Sequence, residues 1–123
     1  MRYMMLIYNN ESAKETLSPE EKSKGATDAL SYIDEAKRRG IFEGADPLEP
    51  TRTATTVRMQ DGKVMITDGP FAETKEQLAG YFILDCKDLD EALEWASKIP
   101  MACAGGSGCV EVRPIRQLAP QSL

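Results

Sequence analysis

The sequence predicts a single α+β domain with strands and helices in the order β-α-β-β-β-α-β. Three observations predict it. Two stretches carry apolar residues at helical spacing between start and stop signals, several short stretches are rich in strand-forming residues, and Asp61-Gly62 separates two alternating runs as in a tight hairpin. A length of 123 residues fits one domain, which we assign to residues 1–118, followed by a loose tail at 119–123.

The first strand covers residues 3–8 and is apolar on both faces. The first helix begins at Ser18, because its hydroxyl can cap the helix, Pro19 suits the first turn and Glu21 completes a capping box. Gly40 ends this helix after a basic last turn. The apolar positions at helical spacing, which we expect to be buried, are Ala26, Ala29, Leu30, Ile33 and Ala36.

The hairpin follows a loop at residues 44–50 that contains two prolines. Its strands cover residues 53–59 and 63–68, with Asp61-Gly62 as the two-residue turn. This turn pairs Met59 with Val64, Val57 with Ile66 and Thr55 with Asp68. Alternation then places Asp68 on the apolar face of the hairpin, beside Val57 and Ile66.

The second half of the chain contains one more long helix and two strands. A Thr-x-x-Gln pattern at residues 74–77 predicts one helical turn, and residues 81–86 form a strand that is apolar on both faces. The second helix begins at Asp88, with Glu91 in the capping-box position, and ends before Pro100. Its predicted buried stripe is Leu89, Ala92, Leu93, Ala96 and Ile99. A loop with Gly105, Gly106 and Gly108 leads to the last strand at residues 110–115.

This order is the split βαβ pattern of ferredoxin-like folds with an extra hairpin strand. In such a fold both helices cover one face of the sheet. Because the strands at 3–8 and 81–86 are apolar on both sides, the second face also needs a cover. A second copy of the chain is the simplest cover, so we expect a homodimer.

Composition excludes several classes of function. The net charge of -5, with no dense basic cluster, argues against direct binding of nucleic acid or of an anionic membrane. The apolar start is too short for a signal peptide or a membrane span, so we expect a cytoplasmic protein. The chain has no histidine, which excludes a Ser-His-Asp triad. We expect neither a metal nor a cofactor.

Residues 68–81, which read DGPFAETKEQLAGY, carry a resemblance to a known family. Together with residues 53–58, Asp61-Gly62-Lys63, Glu91-Ala92 and residues 111–114, they make the chain resemble the DGPF branch of the YCII-related family over nearly its whole length. The resemblance implies a ferredoxin-like fold that pairs into a dimeric α+β barrel. It also implies a context linked to alternative sigma factors. Other members carry a proposed His–Asp pair, which this chain cannot supply.

Asp68 is the sharpest candidate for a catalytic residue. It ends a strand on the apolar face, where Phe71 could desolvate its carboxylate and make it a base near neutral pH. In the other interpretation, its oxygens accept the backbone N–H groups of Phe71 or Ala72 and hold the turn.

Five further residues, in the motif and on the predicted strands, are candidates for the site. Glu73, as a second catalytic acid, and Lys75 could form a cluster with Asp68 that binds a small acidic or polar ligand, or they could be a solvated helix start. Arg58 and Arg113 could clamp a ligand carboxylate or pair with acidic groups. Tyr81, which closes the motif, completes the expected ligand-binding set.

The cysteines and the glycine-rich loop carry no predicted chemistry. The spacing of Cys103 and Cys109 fits neither a CxxC redox motif nor a common zinc site, so we interpret both as structural or incidental. Two functions therefore stay open. One is a ligand-binding or regulatory dimer; the other is a small enzyme without a cofactor, with Asp68 or Glu73 as base for lyase-like or isomerase-like chemistry and Arg113 as anchor.

Overall fold

The computed structural model describes residues 1–100 and 108–118. In chain order the elements are β1 (Arg2–Asn9), α1 (Glu11–Glu15), α2 (Pro19–Arg38), β2 (Phe42–Pro47), β3 (Thr55–Gln60), β4 (Lys63–Asp68), β5 (Gln77–Asp85), α3 (Leu89–Ala96) and β6 (Cys109–Pro114). A short 3-10 turn, Thr51–Thr53, lies between β2 and β3. Within the described residues, no helix is long and apolar enough to cross a membrane.

Four strands form one antiparallel sheet in the order β2-β5-β1-β6. The central strands β1 and β5 lie side by side, with Met5 opposite Phe82, while β6 pairs with β1 and β2 pairs with β5. The long helices α2 and α3 each follow a central strand of this sheet and lead to an edge strand. This is the mixed α+β arrangement of a ferredoxin-like fold, as the sequence predicts.

The prediction of a loop at residues 44–50 was wrong. Residues 44–50 were expected to be a loop, and a hairpin strand was expected to join the sheet. Instead β2 occupies this place, and β3 with β4 form a separate two-stranded sheet. Gly44 and Pro47 give the segment the composition of a loop, but an edge strand tolerates both, because only one of its sides must supply hydrogen bonds.

The hairpin itself has the predicted register, with Val57 opposite Ile66 and Thr55 opposite Asp68. Asp61 and Gly62 both have positive φ angles, 51° and 75°, as the tight turn requires. The predicted apolar face exists, but it is not buried. The exposed fractions of its large side chains are 63 % for Val57, 69 % for Met59, 59 % for Val64 and 70 % for Ile66.

The core lies between the sheet and the two long helices. From β1, Tyr3, Met5 and Ile7 face the helices, and Phe82 packs beside them from β5. The Tyr32 ring lies edge-on to Phe82 and to Trp95, with ring centroids 5.0 Å and 5.6 Å away. Its hydroxyl donates a hydrogen bond to the carbonyl oxygen of Trp95 at 2.8 Å. Burial raises the pKa of this phenol, so it stays a donor.

Both long helices begin as predicted, and their buried stripes are confirmed in part. Ser18 and Glu21 form the capping box of α2, and Asp88 caps α3. Of the predicted stripe residues, Ala36, Ala92, Ala96 and Ile99 are buried, and the helices also bury the rings of Tyr32 and Trp95. By contrast, the predicted stripe residues Ala26, Leu30, Leu89 and Leu93 are exposed. The Tyr32 and Trp95 rings occupy part of the space against the sheet, so these four stripe residues turn outward.

Two local details also differ from the expectation. The Thr-x-x-Gln pattern forms a bend rather than a helical turn: Thr74 donates to the carbonyl of Glu76 at 2.7 Å, and Gln77 already begins β5. The Gln77 side chain donates to the carbonyl of Thr74 at 2.5 Å. The short helix α1, capped by the Asn10 side chain, was not predicted.

Candidate functional site

A cleft of about 500 Å³ opens at one end of the sheet. Its floor contains Tyr8 and Leu78, which are paired residues of β1 and β5. Tyr8 alternates with the buried residues Ile7 and Asn9, so it lies on the face of the sheet that the long helices leave open. The walls are the segment 48–54 and the loop 70–76. We call this space the motif cleft, because the second wall belongs to the DGPF motif.

The wall at residues 48–54 is tied to α1. The Glu11 carboxylate accepts hydrogen bonds from both the backbone N–H and the hydroxyl of Thr51, each at 2.9 Å. Thr53 closes the 3-10 turn through a 2.7 Å bond from its hydroxyl to the carbonyl of Pro50. The N–H of Leu48 donates to the carbonyl of Ala79 on β5 at 2.8 Å. These bonds hold the wall in place against the end of the sheet.

The wall at residues 70–76 is held by the hairpin. The N–H of Gly69 donates to the carbonyl of Ala54 at 2.7 Å, and the Thr56 hydroxyl donates to the carbonyl of Gly69 at 2.8 Å. The Arg58 guanidinium lies 3.5 Å from the carbonyl oxygen of Phe71 and 6.0 Å from the centre of its ring. The Phe71 ring is 76 % exposed and lines the cleft. Arg58 therefore supports the wall rather than lining the cleft.

Glu76 supplies a carboxylate at the edge of the cleft. The Cys109 thiol donates to its Oε2 atom at 3.3 Å. This hydrogen bond, followed by burial and by the charges of Glu76 and Glu111, raises the pKa of Cys109. Burial also raises the pKa of Cys86, to about 11. Since the thiolate is the nucleophile, neither environment activates a cysteine. Cys103, Gly105 and Gly106 lie outside the described residues.

Asp68 lies at the base of the hairpin and is exposed to solvent. It does not line the motif cleft. Among the described residues, neither Phe71 nor Ala72 donates a backbone hydrogen bond to its carboxylate, and the turn is held by the bonds of Thr56 and Gly69 instead. The assignment of Asp68 as a base stays a prediction, and this position supplies no desolvation to support it.

The other candidate residues are spread over three places. Glu73 and Lys75 are exposed in the motif loop, but the cleft is lined by their neighbours Thr74 and Glu76. Arg113 lies on β6 opposite Met4, whereas Tyr81 lies on β5 opposite Leu6, so β1 separates them.

Tyr81 has a partner of its own. Its hydroxyl donates to the Asp46 carboxylate at 2.7 Å, and this bond is the main cause of its raised pKa. The described residues contain no group of three or more cysteine, aspartate or glutamate side chains placed to hold a metal.

The residues that build the cleft were mostly missed from the sequence. Tyr8 was predicted only as a strand residue, and neither Glu11 nor Thr51 was singled out. One signal was available: the motif spans residues 68–81, and only its first residues are needed for the turn that follows β4. Its remaining residues, including Thr74 and Glu76, therefore had room for a second role.

Comparison with known proteins identifies the family. The YCII-related domain matches residues 1–119, which include the floor and both walls of the motif cleft. The chain belongs to the YCII-related family. An uncharacterised protein of Rhizobium meliloti (strain 1021) is 38 % identical over 123 residues, covering 100 % of this chain and 98 % of the relative. The predicted family is confirmed.

Proposed function

We propose that this YCII-related domain binds a small molecule in the motif cleft. The observation that carries the proposal is the cleft itself. Its volume of about 500 Å³ lies within the range of roughly 300–1,000 Å³ that is typical of small-molecule sites. Both walls are tied to neighbouring elements by hydrogen bonds, so little ordering is needed when a ligand enters.

The lining of the cleft suggests the chemistry of the ligand. Tyr8, Phe71 and Leu78 offer apolar contact, whereas the polar groups at the cleft include the hydroxyls of threonines and the carboxylates of Glu49 and Glu76. No lysine or arginine of the described chain lines it. A neutral or cationic molecule with an apolar body suits this lining better than an acid, because two carboxylates disfavour a third negative charge.

Truncation of Phe71 tests the cleft. In a thermal-shift screen of neutral and cationic metabolites, a ligand at a hundred times its dissociation constant adds about 2.7 kcal/mol to the stability of the wild type. We expect Phe71→Ala to weaken that ligand about tenfold or more, since a buried aromatic contact is lost. Leu93→Ala, which removes an exposed side chain of α3 outside the cleft, is the control. Equal binding by both variants would place the ligand elsewhere.

We also propose that the protein is a homodimer that uses its uncovered apolar surfaces. The open face of the sheet presents alternate residues of β1 and β5 such as Met4, Leu6 and Ile83. The hairpin adds four exposed apolar side chains on one of its faces. Apolar patches of this kind typically mark an association surface. The base of the hairpin continues into both walls of the motif cleft, so a partner bound there would lie beside the ligand.

Light scattering tests the dimer with a matched pair of hairpin variants. Ile66→Lys places a charge on the apolar face, whereas Met65→Lys places the same charge on the opposite face of the same strand. We expect the wild type and Met65→Lys to be dimers at micromolar concentration, and Ile66→Lys to be shifted toward monomer by tenfold or more, about 1.4 kcal/mol. A monomeric wild type contradicts the proposal.

A further inference from the structure

We propose that the buried Asn9 belongs to a second ligand site, one that binds a small carboxylate carrying a neighbouring hydroxyl or amide. A cavity of about 210 Å³ shares the lining residues Leu48 and Pro50 with the motif cleft. Asn9 and Ala79 border it from the sheet, and Lys14 and Lys22 border it from α1 and α2.

Asn9 is a polar side chain buried beside the apolar core. Alternation along β1 puts it on the same face as Tyr3, Met5 and Ile7, and only 1 % of its surface is exposed. Neither its Nδ2 nor its Oδ1 atom has a hydrogen-bond partner among the described residues. Buried amides are nearly always paired, so an unpaired one beside a cavity points to a partner that enters from the cavity.

Two lysines at the cavity offer partners for an anion. Lys14 and Lys22 form no ion pair with any described residue. The two acidic side chains at the cavity are already engaged: both oxygens of Glu11 accept from Thr51, and Glu15 lies 3.8 Å from Arg52. The formal charges of the lining balance, but of these charged groups only the two lysine ammonium groups lack an ion-pair or hydrogen-bond partner among the described residues, and a ligand carboxylate would supply one.

The size of the cavity and the hydrogen-bonding groups of Asn9 narrow the class of ligand further. A volume of about 210 Å³ is below the range of roughly 300–1,000 Å³ for drug-sized ligands, so the ligand is small. The Asn9 amide both donates and accepts. A hydroxyl or amide next to the carboxylate can satisfy it, while the carboxylate lies toward the lysines. This chemistry differs from that proposed for the motif cleft, which no lysine or arginine of the described residues lines.

Nuclear magnetic resonance of the full chain tests the site directly, because the side-chain NH2 of Asn9 has its own pair of signals. The probes are sodium glycolate, neutral glycolamide, and sodium chloride at matched ionic strength. We expect saturable shifts of the Asn9 signals with glycolate, weaker binding of glycolamide, and no saturable shift with chloride. Absence of a saturable glycolate shift in the wild type overturns the proposal, since the cavity then holds only water.

Variants separate a ligand site from a structural role. Asn9→Leu replaces the unpaired amide with an apolar side chain of the same branching and the same number of heavy atoms, so we expect the ligand-free Tm to rise by about 4 °C or more and the glycolate response to vanish. Lys14→Gln and Lys22→Gln should each weaken glycolate binding about fivefold, whereas Lys24→Gln, at a lysine paired with Asp28 on α2, should not.

A lower Tm for Asn9→Leu, with glycolate binding unchanged in the lysine variants, would mean that internal water pairs with Asn9. Phe71→Ala should leave glycolate binding intact, so the two sites can fail separately.

Discussion

Replacing Phe82 with alanine should lower the free energy of unfolding by about 3–5 kcal/mol, the usual cost of removing a buried aromatic ring. Phe82 is only 2 % exposed and lies at the centre of the core, opposite Met5 on β1. Its ring also packs edge-on against Tyr32, whose hydroxyl joins α2 to α3. The substitution therefore leaves a cavity at the point where the sheet meets α2, and it removes a contact that orients Tyr32.

The matched control is the same substitution at Phe71. That ring is 76 % exposed, so Phe71→Ala should change the stability by no more than about 0.5 kcal/mol. Urea unfolding, monitored by circular dichroism, measures the free energy of unfolding of both variants. Because total stabilities are about 5–15 kcal/mol, Phe82→Ala could leave too little folded protein, and Phe82→Leu then serves as a milder variant. Similar losses at Phe82 and Phe71 would mean that the core is not centred on Phe82.

Gly80→Ala should destabilise the protein by about 1–3 kcal/mol, because there is no room for a Cβ atom. A Cβ built on Gly80 lies 2.7 Å from the carbonyl oxygen of Asp46 and 3.1 Å from the Cα atom of Pro47. Both atoms belong to the backbone of β2, so relief requires a shift of the whole edge strand. Pro47 pairs with Gly80 in the register, and Asp46 holds the Tyr81 hydroxyl. We therefore expect the hydrogen exchange of β2 amides to quicken as well.

Gly44→Ala is the control for this effect, since Gly44 lies on β2 and its Cβ would meet nothing within 4 Å. For Gly44→Ala we expect the free energy of unfolding to stay the same or to rise by up to about 1 kcal/mol, because alanine leaves the unfolded chain less freedom than glycine does. Thermal unfolding of the two variants beside the wild type makes the comparison. If Gly80→Ala is as stable as Gly44→Ala, the close approach of β2 to β5 is not present in solution.

Local chemistry explains what could be predicted without the structure. The start of α2 follows from Ser18, Pro19 and Glu21, because capping needs only neighbours in the chain. The register of the hairpin follows from Asp61-Gly62 for the same reason, since a two-residue turn leaves one way to pair the strands. The motif at residues 68–81 indicated the family, because so long a stretch that resembles a family motif is specific to that family, whatever structure it adopts.

The sequence by itself thus determined the α+β class, the starts of the two long helices, the pairing within the hairpin and the family. The tertiary structure alone decided that residues 42–47 form the edge strand, that Leu30 turns outward while Tyr32 turns inward, and that Asn9 is buried without a described partner. It also decided which motif residues line a cleft. The physical reason is that burial and pairing across a sheet depend on residues far apart in the chain. Caps and tight turns depend on residues three or four positions apart.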